Sequence, residues 1–576
     1  MPLWPLALIA LAALAAGYLL YGKHVARRYA LDDNATTPAT AKADGVDFIP
    51  TKPLYLLAQH LSAIAAAGPI AGPILACLAF GWLPALLWIL LGVVFIGAVH
   101  DLSALIASVR HGAHSIADVA RTHLGQRAWI TLAAFIWLAM LYIVVAFTQI
   151  TAASFVGKSE ELEGLQTTFN KGGAVAMAST LYLGLAVILG LVQRFLKPPL
   201  WLVTVIFVPA TLACVYAGMK LDTLLNLGAS TWYVLILAYC LVASMLPVWV
   251  LQQPRGYLGG WVLYLVLIIG ILGLLAGGFT VQQPAITDSV AAILTPAPWQ
   301  SLATPGAPLP VTSLIFPFLF VTIACGACSG FHGLICGGTT SKQIAKESHC
   351  RSVGFGAMLL EGLIAVIALA TVMIILPADA KGQSPATIYG QGIARFLTTF
   401  LGPDAFLFCA TFGAMAFSTF VFDTLDITTR LGRYLLAELT GKRTLAWGLA
   451  FAALTCAAPL AILLTSDPEG YRLFWTLFGS ANQLLAALTL MGVAVWLKRT
   501  GKARAFVVIP MLLIAAVSVA ALGLQAFVGV RDLAAGIWRT PTGALNPAIL
   551  NAPVALALLA LAGLFAFDAH RAASRA

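Results

Sequence analysis

The chain has little charge. Asp, Glu, Lys and Arg make up 9% of its 576 residues, where a soluble domain carries about 25%. Hydrophobic residues make up 61%, and no stretch has the mixed composition of a water-facing domain. Such a surface has to be covered by lipid. Other absences narrow the function. All of the nine cysteines except Cys350 lie inside apolar runs, which argues against a disulfide framework. The sequence has no phosphate-binding loop of the Gly-x-x-x-x-Gly-Lys-Ser/Thr kind and no His-Glu-x-x-His pair. ATP-driven pumping and zinc-peptidase chemistry are therefore set aside. The net charge of +10 comes from residues scattered over short loops, so nucleic acid is not an expected partner.

What is present is long apolar runs. Fifteen are able to cross ~30 Å of hydrocarbon. They lie near residues 3–22, 54–80, 83–109, 127–157, 173–195, 199–219, 230–251, 258–279, 311–337, 352–376, 405–430, 444–465, 471–497, 505–529 and 549–568. The longest loops, 23–53 and 280–310, are too short to bury a core of their own. No Lys or Arg precedes the first run, whereas Lys23, Arg27 and Arg28 follow it. It is expected to be an uncleaved span with its N-terminus outside. Alternate threading from there puts 24 of the 32 Lys and Arg on the cytoplasmic side, with the C-terminus. Loop 280–310, external, has none, and turn 498–504, internal, has four. The bias is that of a multi-pass protein of the bacterial inner membrane.

Proline singles out two spans as candidates for a broken helix. In HLSAIAAAGPIAGP (60–73), Pro69 and Pro73 cannot donate to the carbonyls four residues back, and Gly68 and Gly72 ease local unwinding. Backbone left unpaired at membrane depth is tolerated only where protein, water or an ion replaces the lost bonds, so the break points to a substrate or cation site. The bland alternative is a packing kink. Pro247 interrupts the 230–251 run in the same way, freeing the carbonyl of Ala243. These two spans lie five apart and run in opposite directions, as an inverted repeat of five plus five would place them. In the ninth span, Cys325, Cys328, Ser329, His332 and Cys336 would share one helix face at 100° per residue. Thiolates with imidazole suit a soft metal. Ser329 and His332 facing substrate or proton is the preferred reading, and no metal is expected. A small-residue packing seam is the structural alternative.

Ionisable groups inside the bilayer are functional candidates by default. Glu361 lies about nine residues into the 352–376 run with nothing basic within one turn. A dry carboxyl suits reversible protonation, and a structural Glu bonded between helices is the alternative. Asp423 and Thr424, in FVFDTLDITTRLGR, are deep enough to face a cavity, while Asp426 is expected to pair with Arg430 at i,i+4. His100 and Asp101 close the 83–109 run and are expected to be solvated loop-end charges. Asn482 and Gln483 are expected to bond between helices outside the ten-helix core.

Several of these stretches resemble the carbon starvation protein A family of bacterial nutrient transporters. They are DDNATTPA at 32–39, HLSAIAAAGPIAGP at 60–73, LWILLGVVFIGAVHDL at 87–102, LPVWVLQQPRGYL at 246–258, CGACSGFHGLICGGTTSKQI at 325–344 and DITTRLGRYLLAEL at 426–439. The resemblance implies a fold like that of LeuT and the amino acid–polyamine–organocation transporters. It also implies uptake of peptides or of pyruvate, the latter by proton symport. Where the family has two adjacent histidines before the first break, this chain has Gln59 and His60, so only His60 carries over. Ala66 stands where the family has glycine.

The expectation is an all-α polytopic protein with one extra N-terminal span and loop (1–53), repeats at 54–225 and 226–440, and four accessory helices at 441–576. It would import small carboxylate nutrients without a cofactor. Substrate would sit at His60, Gly68, Pro69, Gly72, Pro73, Pro247, Ser329 and His332. A coupling cation, proton in preference to sodium, would use His60, Glu361, Asp423 and Thr424. The competing class is a membrane-embedded sensor or enzyme with no net transport.

Overall fold

The computed structural model describes residues 1–44, 48–65, 67–156, 159–161, 168–291, 296–466 and 471–575. Ala66 lies outside them. Among the described residues, twelve helices are long and apolar enough to cross a membrane, from Trp4–Tyr29 to Pro547–Ser574. The pair Pro53–Ile64 and Gly68–Phe80, bent by 51°, makes a thirteenth when counted as one span. The other two expected spans are not continuous helices of that length. Ala229–Met245 has 17 residues, and the 311–337 run resolves into Ile315–Thr322 and Gly330–Gly338. Among the described residues, two short strands, Ser159–Glu161 and Thr168–Asn170, pair antiparallel.

The chain divides into two compact units, each drawing on both halves of the sequence. The first comprises Met1–Ala7, Met140–Gln283 and Ile367–Tyr471. The second comprises Leu8–Ala139, Pro284–Val366 and Arg472–Ala576.

In the first unit, Pro247 lies just past the end of a helix, not within one. Ala229–Met245 stops before it, and Leu246 is extended (φ −69°, ψ 149°). The carbonyl that Pro247 frees is already satisfied. Arg430 Nη2 donates to Ala243 O at 2.7 Å and to Leu246 O at 2.8 Å. This corrects two expectations. Pro247 does not leave an open polar backbone end, and Arg430 is spent on carbonyls instead of pairing with Asp426. Thr424 donates to Phe420 O within its own helix.

In the second unit, the first break forms as its residues dictate. Ala65 ends the Pro53–Ile64 helix (φ −72°, ψ 69°). Pro69 occupies the first turn of Gly68–Phe80, where its missing N–H costs nothing, and Pro73 is carried inside that helix. The ninth span breaks as well. Residues 323–329 are not helical, so the single face expected for Cys325 to Cys336 does not exist. Two helices that pack against this break, Trp82–Arg110 and Arg351–Met373, each carry a π-helical turn, Val93–Gly97 and Arg351–Phe355, a distortion that often marks functional sites.

Candidate functional site

The two broken spans of the second unit pack on each other, break against break. A Cβ on Gly68 would collide with Cys325, one on Gly72 would lie 2.7 Å from Thr322 O, and one on Gly326 would lie 3.3 Å from Pro69 Cα. Farther along, His60 Nε2 is 3.9 Å from Cys336 Sγ, and His60 Nδ1 is 2.8 Å from Thr340 Oγ1. Residue 60 thus faces 336–340, residue 68 faces 325, and residue 72 faces 322. The two interrupted spans are antiparallel. Gly97 lets the Trp82–Arg110 helix press onto the same break, since a Cβ there would meet Ala327 O.

Several backbone groups opened by the second break have side-chain partners. Trp88 Nε1 donates to Phe320 O (3.2 Å) and Ile323 O (3.3 Å). Gln483 Nε2 donates to Phe320 O at 2.8 Å, and Trp475 Nε1 donates to Thr322 O at 3.0 Å. Asn482 serves the start of Gly330–Gly338. Its Oδ1 accepts from Phe331 N at 3.0 Å, while its Nδ2 reaches Ser329 Oγ (3.0 Å) and Cys325 Sγ (3.4 Å). Asn482 and Gln483 therefore belong to the break, which corrects their expected place outside the core.

Beneath the break lies a chain of buried ionisable groups. Asp101, expected in solvent, is wholly buried, as are His100 and Glu361 (each 0% exposed), and His332 is 1% exposed. The Trp82–Arg110 helix runs 29 residues, so positions 100 and 101 fall inside it and not at its end. Asp101 Oδ1 accepts from His100 Nδ1 at 2.7 Å, and Oδ2 accepts from His332 Nδ1 at 2.8 Å. Using Nδ1–H on Asp101 fixes the tautomer of His332 and points Nε2 elsewhere. That nitrogen lies 3.3 Å from Glu361 Oε2. The contact is close enough for charge to matter, but neither Glu361 oxygen has a well-aligned hydrogen bond.

Of the expected site residues, His60, Gly68, Pro69, Gly72, Pro73, Ser329, His332 and Glu361 are gathered in this one unit, all buried. Pro247, Asp423 and Thr424 belong to the first unit. Asp101, Cys336 and Asn482 had been assigned other roles, and Thr340 was not singled out. The sequence signals for Asp101 were an acidic residue eighteen positions into an apolar run and its place in the family-like stretch 87–102.

Long apolar helices, two of the spans interrupted and packed antiparallel over buried histidines and carboxylates, define a multi-pass helical membrane protein. The family described as Carbon starvation protein CstA matches residues 3–382 and 378–521. The chain belongs to that family. A peptide transporter CstA of Helicobacter pylori is 32% identical over 84% of this chain and 76% of its own length. The Bacillus subtilis peptide transporter CstA is 31% identical over 95% and 93%. The Escherichia coli pyruvate/proton symporter BtsT is 29% identical over 88% and 80%. Among solved structures, the Eremococcus coleocola manganese transporter in complex with an aromatic bis-isothiourea substituted compound aligns at a TM-score of 0.47. It is 12% identical, over 90% of this chain and 95% of that one.

Proposed function

We propose that the chain is a secondary transporter of the bacterial inner membrane that imports small carboxylate nutrients, peptides or pyruvate, by proton symport. The names of its relatives support the substrate class. The observation that carries proton coupling is the contact between His332 Nε2 and Glu361 Oε2. With Nδ1–H committed to Asp101, a single proton fits between Nε2 and Oε2. It can sit on Glu361 and be donated to His332, or sit on His332 and be donated to Glu361. Removing it leaves a lone pair facing a carboxylate in a dry site, which is repulsive. Loading and unloading this proton would therefore favour different packings of the two breaks.

Sodium coupling would need a cage of oxygens. The carbonyls best suited to it, those of Phe320, Thr322 and Ile323, already accept from Trp88, Gln483 and Trp475. His60, bonded to Thr340 at the inner end of the same pair of spans, is a candidate step for the proton's exit. Substrate would enter where Gly68–Pro73 and Thr322–Ser329 now touch. The antiparallel pairing supports an inverted repeat, but the second and ninth spans lie seven apart and not five, so the five-plus-five spacing of the LeuT kind rests on the family resemblance and not on this pair. An N-terminus outside and a C-terminus in the cytoplasm match the threading by charge.

The test is uptake of labelled pyruvate and dialanine into proteoliposomes holding only this protein, under a pH gradient and separately under a sodium gradient. Accumulation with an inward proton gradient is expected. No accumulation of either probe under either gradient would leave the sensor or enzyme reading in its place.

A further inference from the structure

We propose that Asp426 in the first unit is a second protonation site, a neutral carboxylic acid at rest beside a fixed Asp423–Arg255 ion pair. Neither the histidine–carboxylate chain of the second unit nor its proton is involved. The observation is an imbalance of buried charge. Arg255 has no exposure at all and Asp426 only 3%. Two carboxylates converge on that one guanidinium. Asp423 Oδ1 accepts from Nε at 2.8 Å and from Nη2 at 2.5 Å, which makes it the ion partner. Asp426 Oδ2 accepts from Nη1 and, at 2.8 Å, from Tyr239 Oη, which itself accepts from Nη1 at 2.7 Å. Asp426 Oδ1 is buried and has no partner.

A carboxylate in low dielectric is tolerated when paired and fully hydrogen-bonded, and is otherwise neutralised. Asp423 takes two guanidinium bonds on Oδ1 and its side chain is 14% exposed, whereas Asp426 leaves a buried oxygen with no partner. The groups around Asp426 offer no second counter-charge. Tyr239 and Cys240 face it from Ala229–Met245, Cys456 from Leu445–Thr465, and Arg255 from Gln252–Ala276. On the Lys171–Phe195 helix, Tyr182 donates to Arg255 O at 2.9 Å. Arg430, one turn along, is held by the carbonyls of Ala243 and Leu246. A hard metal cation needs about six or more oxygens, and no three His, Cys, Asp or Glu side chains are placed to hold a softer one among the described residues. A proton is the cation that fits.

The experiment is infrared spectroscopy of the purified, lipid-reconstituted protein near neutral pH, reading the C=O stretch of protonated carboxyl groups. E361Q serves as the background, so that Glu361 does not contribute. E361Q should show a protonated-carboxyl band that E361Q/D426N lacks, a loss equivalent to one carboxyl per chain. Y239F, which removes the phenol donor but keeps the acid, should shift the band without abolishing it, and stands in if D426N fails to fold. Spectra identical across E361Q, E361Q/D426N and E361Q/Y239F would overturn the proposal. So would a band that is absent in sodium buffer and appears only when sodium is removed. The measurement requires no uptake, so its outcome is independent of whether the transport reading holds.

Discussion

Asp101 and His332 are 231 residues apart in sequence and 2.8 Å apart in the fold, carboxylate to imidazole Nδ1. Asp101 binds two imidazoles and so decides how His332 presents its other nitrogen to Glu361. The Trp82–Arg110 helix contributes the carboxylate that orients, the second half of a broken span contributes the imidazole, and the Gly356–Met373 helix contributes the acid.

D101N should therefore impair proton coupling by misorienting His332, while E361Q should remove the coupling proton itself. Both are expected to reduce gradient-driven uptake of pyruvate or dialanine by about 10- to 100-fold, the worth of a charged hydrogen bond. Exchange of labelled for unlabelled substrate at equal pH should survive in E361Q. Loss of exchange together with driven uptake would mean that Glu361 holds the structure and not the proton.

His60 shares one hydrogen bond with Thr340 and carries the family's first-break motif alone. H60A should slow driven uptake while leaving the folded protein intact in detergent. Uptake at the wild-type rate would remove His60 from the site.

The contact between the two breaks leaves no room for side chains. G68A should destabilise by about 1–3 kcal/mol, the usual cost of overpacking. C325G should recover most of that loss, because the clash is with the Cys325 side chain. G72A should not be rescued by C325G, since its added carbon meets the backbone oxygen of Thr322. Thermal unfolding of the detergent-solubilised variants gives the comparison.

Arg430 and Pro247 should be coupled. R430M leaves the carbonyls of Ala243 and Leu246 without their donor, at a cost of about 1–3 kcal/mol for each buried group. P247A restores an N–H four residues after Ala243. The double variant should thus be more stable than R430M alone. Additive losses in thermal unfolding would show that the proline plays no part in Arg430's role.

Acid should loosen the segment that follows the first helix. Burial alone would raise the Glu347 carboxyl, but the hydrogen bonds from Arg110 and from the backbone of Asp32 outweigh it and hold it below its ordinary value. Asp33, bonded to the backbone and hydroxyl of Ser348, is lowered as well. A carboxylate whose folded value is depressed contributes stability above its unfolded value, near pH 4, and loses it as pH falls through the folded one. Hydrogen exchange over residues 30–44 should accelerate below about pH 4, and E347Q should show the faster exchange already at neutral pH.

Much of this was legible in the sequence. Apolar run lengths located the long helices, and Gly68, Pro69, Gly72 and Pro73 announced the first break, because proline's missing donor acts within a few residues. The second break was not legible. Its residues, Ile323 to Ser329, contain no proline, and small residues fit a continuous helix as well as an open one. What opens it is a set of partners from distant segments, with Trp88, Trp475, Asn482 and Gln483 taking up the exposed backbone.

Pairing was likewise beyond the sequence. An i,i+4 rule joined Asp426 to Arg430, yet Asp426 takes its hydrogen bond from Arg255, 171 residues away, because the fold brings that guanidinium within reach and ties Arg430 to backbone carbonyls. By itself, then, the sequence determined that the chain belongs in lipid, where its long apolar helices run, and where one helix must fail. Those properties depend on composition and on local backbone chemistry. Which buried charges meet was decided only by the tertiary structure. In a dry interior, each ionisable group takes whichever partner the folded helices bring within reach, and sequence distance plays no part in that choice.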